Sequence, residues 1–326
     1  MPKKDISNNI LDHRINWAWA VSVTLLLAVF PFVASKFNVE FYITLGSRIL
    51  IYALIATSLN LILGFSGLVS FGHAAFVGIG AYSIVILMGF NCTNAFYSWP
   101  AAMLISGIVA LIVGSISLRT RGVYFIMITL AFAQMLFYLV TSIKLYGGND
   151  GMPLNNRSLI EMGSNVTLDI TNETNFYLLV LFLTVTVIFI LVRLLNSRFG
   201  HVLQAIRENE ERMLAIGFPV YRYKLCAFVI AGSLAGLGGA LIANLSGFVS
   251  PSLMQWTQSG MILVMVILGG VGYIYGGFLG AFSFLILEEF LSQLTIHWQL
   301  GLGFCLLMVV LFFSNGLSSI FDRRLK

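Results

Sequence analysis

The run FYLLVLFLTVTVIFILVRLL, residues 176–195, holds one charged side chain, Arg193, in twenty positions. An α-helix rises about 1.5 Å per residue, so a helix of this length crosses the roughly 30 Å of hydrocarbon in a bilayer. Every backbone N–H and C=O group in hydrocarbon needs an internal partner, which a helix provides. The run therefore predicts a membrane-spanning helix.

The whole chain has the composition of an integral membrane protein. Of its 326 residues, 59% are hydrophobic and 10% are charged, whereas soluble proteins carry about 25% charged residues. The sequence lacks the short alternating segments of a membrane β-barrel, so the predicted fold class is all-α, a polytopic membrane protein with about ten helices. The apolar runs, of which the eighth is short, are residues 17–34, 43–64, 72–90, 99–118, 122–143, 176–195, 225–245, 257–270, 276–294 and 300–313.

The basic residues predict the orientation of these spans. With the N-terminus in the cytoplasm, fourteen of the eighteen lysines and arginines fall on the cytoplasmic side, as the positive-inside rule requires. The exceptions are Lys36, Arg48, Lys144 and Arg157. No small-residue cleavage site is evident after the first run, so we expect it to be retained. The chain is then a single transmembrane domain, residues 1–326, whose polar segments are a cytoplasmic tail at 1–16, an external loop at 144–175, a cytoplasmic loop at 196–224 and a cytoplasmic tail at 316–326.

The cytoplasmic loop contains HVLQAIRENEERMLAIGFP, residues 201–219, within the only long charge-dense segment between strongly apolar ones. Val202, Ile206 and Met213 form an apolar stripe at helical spacing, which predicts one amphipathic helix. Gly217 would end this helix in a left-handed conformation, and the proline at 219 would prevent its continuation. Two interpretations stay open: a topological loop that lies on the bilayer surface, or a docking helix for a separate soluble protein.

Oppositely charged side chains four residues apart on this helix are predicted to pair. Glu208 precedes Arg212 in the favourable order, and Arg207 precedes Glu211 in the reverse order. Each good pair stabilises a helix by roughly 0.2–0.5 kcal/mol.

A second unusual segment is LNLILGFSGLVSFGHAAFVGIGAYS, residues 59–83, where glycine and serine interrupt two predicted spans. Broken backbone at membrane depth is tolerated where it is buried in protein or lines a watery cavity. Gly78 and Gly80 are best explained by close packing of helices through small residues. The denser run is predicted to line or gate a translocation path, and its members are Gly64, Ser66, Gly67, Ser70, Gly72 and His73.

Few ionisable side chains fall within the predicted spans. His73 is expected to bond a neighbouring carbonyl group, with a substrate-facing or proton-sensitive role as the alternative. A carboxylate at membrane depth costs about 2.5–3.5 kcal/mol on insertion scales, so Glu288 and Glu289 require a physical explanation. Both lie toward the outer end of the ninth span, and Arg48 lies toward the outer end of the second. One of the two glutamates is therefore predicted to pair with Arg48.

The sequence shows no pattern typical of catalysis or metal binding. The four histidines are dispersed, no Ser-His-Asp or His-Glu-x-x-His spacing occurs, and no lysine follows a glycine as in a phosphate-binding loop. The three cysteines have neither disulfide nor zinc spacing. We expect no catalytic residue, metal or cofactor in this chain, so that ATP, if it drives the protein, binds another chain.

A faint internal repeat also occurs. SGLVS at 66–70 and SGFVS at 246–250 fall on opposite sides of the membrane in the predicted topology, as an inverted repeat requires.

Five segments, in their order and spacing, resemble the permeases of branched-chain amino-acid ABC importers, specifically the LivM type. The resemblance runs from about Arg48 to the last span. The segments are GFSGLVSFGHAAFVGIGAYS at 64–83, LRTRGVYFIMITLAFAQM at 118–135, GGND at 147–150, RENEERMLAIG at 207–217 and GGVGYIYGGFLGA at 269–281.

The resemblance implies a non-catalytic transport subunit of the bacterial inner membrane. Its implied partners are a LivH-like second permease, two cytoplasmic ATPases that bind ATP and magnesium, and a periplasmic substrate-binding protein. The external loop, periplasmic in this setting, carries the motif Gly147, Gly148, Asn149 and Asp150.

The resemblance also favours the docking interpretation of the charged helix, as a coupling element for the ATPases. Glu211, Ala215 and Gly217 match the importer pattern of Glu-Ala-Ala, three residues and Gly, whereas Arg212 and Met213 replace the two alanines. The residues expected to take part in coupling are Arg207, Glu208, Glu211, Ala215 and Gly217.

Other functions stay open. A permease of the same family could carry urea or short amides, because an external binding protein does much of the selecting. A stand-alone ion-coupled carrier would use His73, Glu288 and Glu289 as coupling groups. A membrane transferase with a lipid-linked substrate is disfavoured by the lack of clustered catalytic residues.

Overall fold

The computed structural model describes residues 17–37, 39–90, 92–154, 157–158, 160–162, 165–168, 171–312 and 316–320. The predicted tail at 1–16 and the last six residues of the tail at 316–326 lie outside the described residues. The α-helices are α1 (Trp17–Lys36), α2 (Glu40–Ser66), α3 (His73–Gly89), α4 (Ala95–Ser117), α5 (Val123–Ser142), α6 (Glu173–Leu195), α7 (Arg198–Glu208), α8 (Glu210–Ala215), α9 (Val220–Ser246), α10 (Trp256–Gly269), α11 (Gly276–Leu294) and α12 (Trp298–Phe312).

Each predicted span corresponds to one of these helices, and α7 and α8 form the charged segment. Six helices in the described part of the chain are long and apolar enough to cross a membrane: α2, α4, α5, α6, α9 and α11. The apolar parts of α1, α3, α10 and α12 are shorter. As predicted, the eighth span is short, with 14 residues in α10. The chain is an all-α polytopic membrane protein.

α2 is a central helix of the bundle. Every residue from Ala53 to Ser66 is buried, and α6, α9, α10 and α11 pack around it. A membrane-spanning helix can be apolar all round and face either lipid or protein, so the contacts with these four helices, and not apolar character alone, bury α2. α5 is different, because its buried residues are Phe125, Thr129 and Ala133, one stripe at a spacing of four.

α9 is the second central helix, and its glycines let other helices approach closely. A Cβ atom on Gly239 would lie 1.8 Å from the carbonyl oxygen of Val77 in α3. A Cβ atom on Gly236 would lie 2.4 Å from the Cβ of Ser106 in α4. The contacts among α3, α4 and α9 therefore depend on small residues.

α2 and α9 occupy equivalent places in two halves of the bundle. Both helices have 27 residues and end at a serine, and each is followed by a left-handed glycine, Gly67 (φ +70°) or Gly247 (φ +63°). α3 and α4 pack on α9, and α10 and α11 pack on α2. Gly67 lies next to Arg207 of α7, whereas Gly247 binds the segment between α5 and α6. The SGLVS and SGFVS repeat thus marks equivalent helix ends on opposite sides of the bundle.

Short strands occur in the segment between α5 and α6. They are β1 (Met152–Pro153), β2 (Ile160–Met162) and β3 (Asn165–Leu168), and β4 (Phe248–Val249) follows α9. β1 pairs antiparallel with β4, and β2 pairs antiparallel with β3. The first of these pairs fastens the predicted external loop to the end of α9.

Candidate functional site

The glycine-rich segment breaks the helical path between α2 and α3. α2 ends at Ser66, Gly67 is left-handed, and α3 begins at His73. The amide of Leu68 donates to the carbonyl oxygen of Ile62 over 3.0 Å, a bond that closes the end of a helix before a left-handed glycine. The irregular backbone predicted from the sequence is confirmed at residues 67–72.

Hydroxyl groups from two other helices satisfy backbone donors at this break. Thr129 Oγ1 of α5 accepts a hydrogen bond from the Phe71 amide over 3.3 Å. Ser259 Oγ of α10 accepts one from the Ala74 amide over 3.0 Å. Sequence reasoning missed Thr129 and Ser259, because a single hydroxyl residue in an apolar run carries no positional signal.

Most of the predicted gating residues are closed off from the surface. Ser66, Ser70 and His73 are buried, and Ser70 Oγ accepts a hydrogen bond from the Gly72 amide over 3.2 Å. Of the six predicted residues, Gly67 alone is exposed. At these positions the structure shows a packed, closed break, and their predicted role in the translocation path stays a prediction.

The prediction that His73 bonds a neighbouring carbonyl group is wrong. Its Nε2 lies 2.8 Å from the hydroxyl oxygen of Ser58 in α2, and its ring meets the Phe76 ring edge-on with centroids 6.1 Å apart. Nδ1 has no hydrogen-bond partner among the residues described. A hydroxyl takes the place of the expected carbonyl because Ser58 of the neighbouring α2 reaches the ring. His73 therefore ties the start of α3 to α2.

Gly78 and Gly80 serve close packing, as predicted. A Cβ atom on Gly78 would lie 2.1 Å from Met254 Cγ, and one on Gly80 would lie 2.0 Å from the carbonyl oxygen of Gly236. At Gly80 the obstacle is backbone, so a larger residue would push α3 and α9 apart.

The charged segment forms two helices, so the prediction of a single helix over 201–219 is wrong. Asn209 separates α7 from α8 in an extended conformation (φ −157°, ψ 98°). Its Oδ1 accepts a hydrogen bond from the Arg212 amide over 2.9 Å, and asparagine is a favoured N-cap for this reason. We call residues 198–219 the polar module.

The predicted ion pairs within the polar module do not form. Within the described part of the chain, neither Glu208 with Arg212 nor Arg207 with Glu211 is within ion-pair distance. The extended backbone at Asn209 removes the helical spacing that would bring these side chains together.

Glu210 instead anchors α8 to the spans. Its Oε2 lies 2.7 Å from Lys224 Nζ at the start of α9, and its Oε1 lies 3.5 Å from Arg121 between α4 and α5. Sequence reasoning did not single out Glu210, because both partners belong to other elements.

The apolar stripe of the polar module is buried, as its helical spacing predicts. Ile206, Met213 and Val220 form a small cluster separate from the main core, and Val202 packs against it. The break at Asn209 therefore changes the direction of the chain without exposing the stripe.

The opposite face of the polar module is exposed. Leu214 is 46% exposed and Ile216 is 63% exposed. Gly217 is left-handed (φ +88°), with no atom within 4 Å of the place a Cβ would take. The predicted coupling residues all lie on exposed positions: Arg207, Glu208, Glu211, Ala215 and Gly217.

Arg207 joins two predicted sites that sequence reasoning treated separately. Its Nη1 donates to the carbonyl oxygen of Gly64 in the last turn of α2. Its Cγ lies 3.4 Å from the place a Cβ would take on Gly67. The polar module therefore touches the glycine-rich break directly, across 143 positions of sequence between Arg207 and Gly64.

The motif Gly147 to Asp150 forms a tight turn at the other end of the bundle. Gly147 (φ +84°) and Gly148 (φ +51°) are left-handed, and the Asp150 amide donates to the Gly147 carbonyl over 3.0 Å. Asn149 and Asp150 are exposed.

The residues after this turn bind the end of α9. The Leu154 amide donates to the Gly247 carbonyl over 2.8 Å, and the Ser158 amide donates to Asn244 Oδ1 over 2.8 Å. Ser158 and Asn244 are both buried. Together with the β1–β4 pairing, these bonds hold the loop against α9.

The predicted pairing of Arg48 with one of the two glutamates is confirmed for Glu288. A guanidinium nitrogen of Arg48 lies 3.3 Å from Glu288 Oε1, and the side chains are 40% and 15% exposed. Arg48 Cζ also lies 5.9 Å from the centroid of the Tyr52 ring. Glu289 instead accepts a hydrogen bond from Gln293 over 3.1 Å.

Comparison with known proteins gives consistent matches. A family model described as branched-chain amino acid transport system / permease component matches residues 41–312. The chain is 29% identical to the high-affinity branched-chain amino acid transport system permease protein LivM of Salmonella typhimurium, over 94% of this chain and 76% of that protein. The LivM protein of Escherichia coli is 28% identical over the same shares. The LivH permease protein of Salmonella typhimurium is 25% identical, over 82% of this chain and 90% of that protein. No solved structure matches the chain.

Proposed function

Because the chain belongs to the branched-chain amino acid transport permease family, we propose that it is the membrane-spanning subunit of an ATP-binding-cassette importer for branched-chain or related amino acids. Relatives named as permeases of such systems align with most of its length. In this role the chain supplies part of the translocation path and a docking surface for the ATPase subunits. ATP hydrolysis takes place on those partner chains.

The observation that carries the proposal is the outward face of the polar module. Ile206 and Met213 are buried in the module's own cluster, so the apolar stripe is not available to a bilayer surface. Leu214 and Ile216 add exposed apolar area beyond that cluster. We infer that Leu214 and Ile216 form the apolar part of a protein interaction site, with Glu211 and Arg212 of α8 as its charged surround. A soluble ATPase is the partner that fits this face.

We assign the polar module to the cytoplasm and the loop at 144–175 to the periplasm of a bacterial inner membrane, with both termini cytoplasmic. The charge distribution supports this orientation, because basic residues gather on the cytoplasmic side of a membrane. On the side of the polar module the described basic residues are Arg119, Arg121, Arg193, Arg198, Arg207, Arg212, Arg222 and Lys224.

We further propose a complex of four kinds of subunit. A LivH-like second permease would complete the membrane-spanning part, two ATPases would dock on the cytoplasmic side, and a substrate-binding protein would meet the periplasmic side. The family relationship to both LivM and LivH proteins supports a pair of related permeases.

Coupling in this complex is a rigid-body movement of the polar module. Glu210 holds α8 to Lys224 and Arg121, so a displacement of α8 is passed to the start of α9 and to the α4–α5 loop. Packed elements move as units because their interiors have little free volume.

Native mass spectrometry of the gently solubilised, natively expressed protein tests the proposal. We expect a particle with two ATP-binding chains and a second apolar subunit in fixed ratio. A stable particle made of this chain alone contradicts the importer assignment and favours an ion-coupled carrier.

Uptake by intact cells tests the substrate class. Cells with and without the chain are supplied with radiolabelled leucine, isoleucine, valine or urea. We expect chain-dependent uptake of the amino acids that persists when an uncoupler is added and ATP is maintained. Chain-dependent uptake of urea alone would move the substrate to urea, and loss of uptake with the uncoupler would point to ion coupling.

A further inference from the structure

The Arg207 side chain leaves the polar module and reaches the end of α2. Its Nη1 donates to the Gly64 carbonyl, one of the last four carbonyl groups of the helix, which have no partner inside it. A cation at a helix C-terminus is favoured by the helix dipole. Arg207 therefore caps α2 from a separate helix.

The same guanidinium also contacts the turn between α10 and α11. Arg207 Nη1 lies 2.9 Å from the place a Cβ would take on Gly272 in this turn. Asn60 of α2 holds the turn in place, because its Oδ1 accepts from the Gly272 amide over 3.0 Å and its Nδ2 donates to the Tyr273 carbonyl over 2.7 Å. Three elements, α7, α2 and the turn before α11, thus meet at one side chain.

The end of α2 and the turn before α11 pack tightly against each other, and Arg207, an exposed residue, reaches both of them. A Cβ on Gly64 would lie 2.5 Å from the Gly272 amide nitrogen and 2.2 Å from Asn60 Oδ1, so backbone lies against backbone. Interiors packed in this way transmit displacement instead of absorbing it. The planar guanidinium, with its fixed set of donors, suits a site that must keep its geometry while it moves.

We propose that Arg207 is a positioning residue that passes movement of the polar module to the end of α2 and to the turn before α11, and so links ATP hydrolysis to opening of the glycine-rich break. This inference rests on the proposed importer function. It differs from a simple stabilising cap in its consequence: loss of the link leaves ATP hydrolysis running without transport.

The test is the number of ATP molecules hydrolysed per substrate molecule transported by the complete complex in liposomes. We expect Arg207→Gln to assemble and hydrolyse ATP, but to raise this ratio by roughly threefold or more, the scale on which residues along a coupling path act. Arg207→Lys keeps a charged donor but loses the planar guanidinium, so we expect its ratio to lie between those of the wild type and Arg207→Gln. Arg198→Gln is the matched control, because it removes an exposed positive charge from the far end of α7.

An unchanged ratio in Arg207→Gln overturns the inference. A smaller yield of complex with an unchanged ratio also overturns it, because a cap that only stabilises the protein would give that result. If the wild-type chain forms no complex with ATPases, the result would instead contradict the proposed function, and this inference with it.

A second measurement needs no variant. Hydrogen exchange of the wild-type complex is compared between the nucleotide-free state and a state trapped with ATP and vanadate. We expect exchange in α7 and in residues 270–275 to change together. A change in α7 without one in the turn contradicts the link.

Discussion

The guanidinium of Arg48 lies 3.3 Å from the carboxylate of Glu288 and joins α2 to α11 within the spans. Each charge gives the other a partner at a depth where an isolated charge is costly. The pair connects a central helix to the helix that follows the Gly272 turn, so it bears on how α2 and α11 keep their relative positions.

A double-mutant cycle measures this pair. Arg48→Ala and Glu288→Ala should each destabilise the protein in detergent, and the double variant should be less destabilised than the sum. For residues in contact the coupling free energy is roughly 0.5–3 kcal/mol. Arg48→Ala combined with Glu289→Ala is the control, since Glu289 bonds Gln293, and its effects should add. Additive effects for Glu288 as well would show that the contact contributes nothing.

Gly217 tests docking of the ATPases. No atom lies within 4 Å of its Cβ position, so Gly217→Arg should insert and fold while its long side chain occupies the face proposed to dock the ATPases. We expect ATP hydrolysis stimulated by the binding protein to fall to the basal rate. Gly217→Asn is the control, because asparagine tolerates the left-handed conformation, and it should keep most of the activity. Normal hydrolysis and uptake by Gly217→Arg would remove Gly217 from the interface.

Gly67 tests the break between α2 and α3. The atoms within 4 Å of its Cβ position belong to Arg207, so Gly67→Trp should displace that side chain and abolish uptake while the complex still assembles. Gly122→Trp shares a positive φ and has open space around the Cβ, so it reports the cost of strain alone. If Gly67→Trp transports at the wild-type rate, this segment lies outside the path.

Asn244 tests the attachment of the external loop. Asn244→Ala removes the acceptor for the Ser158 amide, and an unsatisfied buried donor costs roughly 1–3 kcal/mol. Amide hydrogen exchange in residues 152–158 should speed up by at least about fivefold, while α7 and α8 stay unchanged. Ser246→Ala, which deletes a hydroxyl at the same helix end, should have a much smaller effect. Equal exchange in both variants would show that the Leu154–Gly247 bond and the β1–β4 pairing hold the loop without Asn244.

Hydrophobic run length predicts each long apolar helix in the described part of the chain, because the requirement to cross hydrocarbon leaves helices as the main solution. Local breaks within polar helices are harder to predict. Asn209 fits a helical pattern as an ordinary polar residue, and its capping bond to the Arg212 amide exists only once the chain has turned.

Most contacts between elements cannot be predicted from a single sequence, and the reason is a different one. The pairing of Arg48 with Glu288 was predictable, since unpaired charges at membrane depth are rare and few candidates exist. Ser58 beside His73, and Arg207 beside Gly64, depend on which helix ends become neighbours, and hydrophobicity does not encode that choice.

The two helix ends that carry the SGLVS and SGFVS segments are held by different parts of the chain. The end at Gly67 is held by Arg207 of the polar module, and the end at Gly247 is held by the loop that contains Leu154. Each of the two equivalent helix ends is thus held by a different polar segment, and α2 and α9 pack against each other. In the proposed complex, the substrate-binding protein and the ATPases therefore contact separate surfaces, which the pair α2 and α9 connects. In that complex, a different substrate-binding protein could be accommodated at the external loop while the surface that contacts the ATPase stays the same.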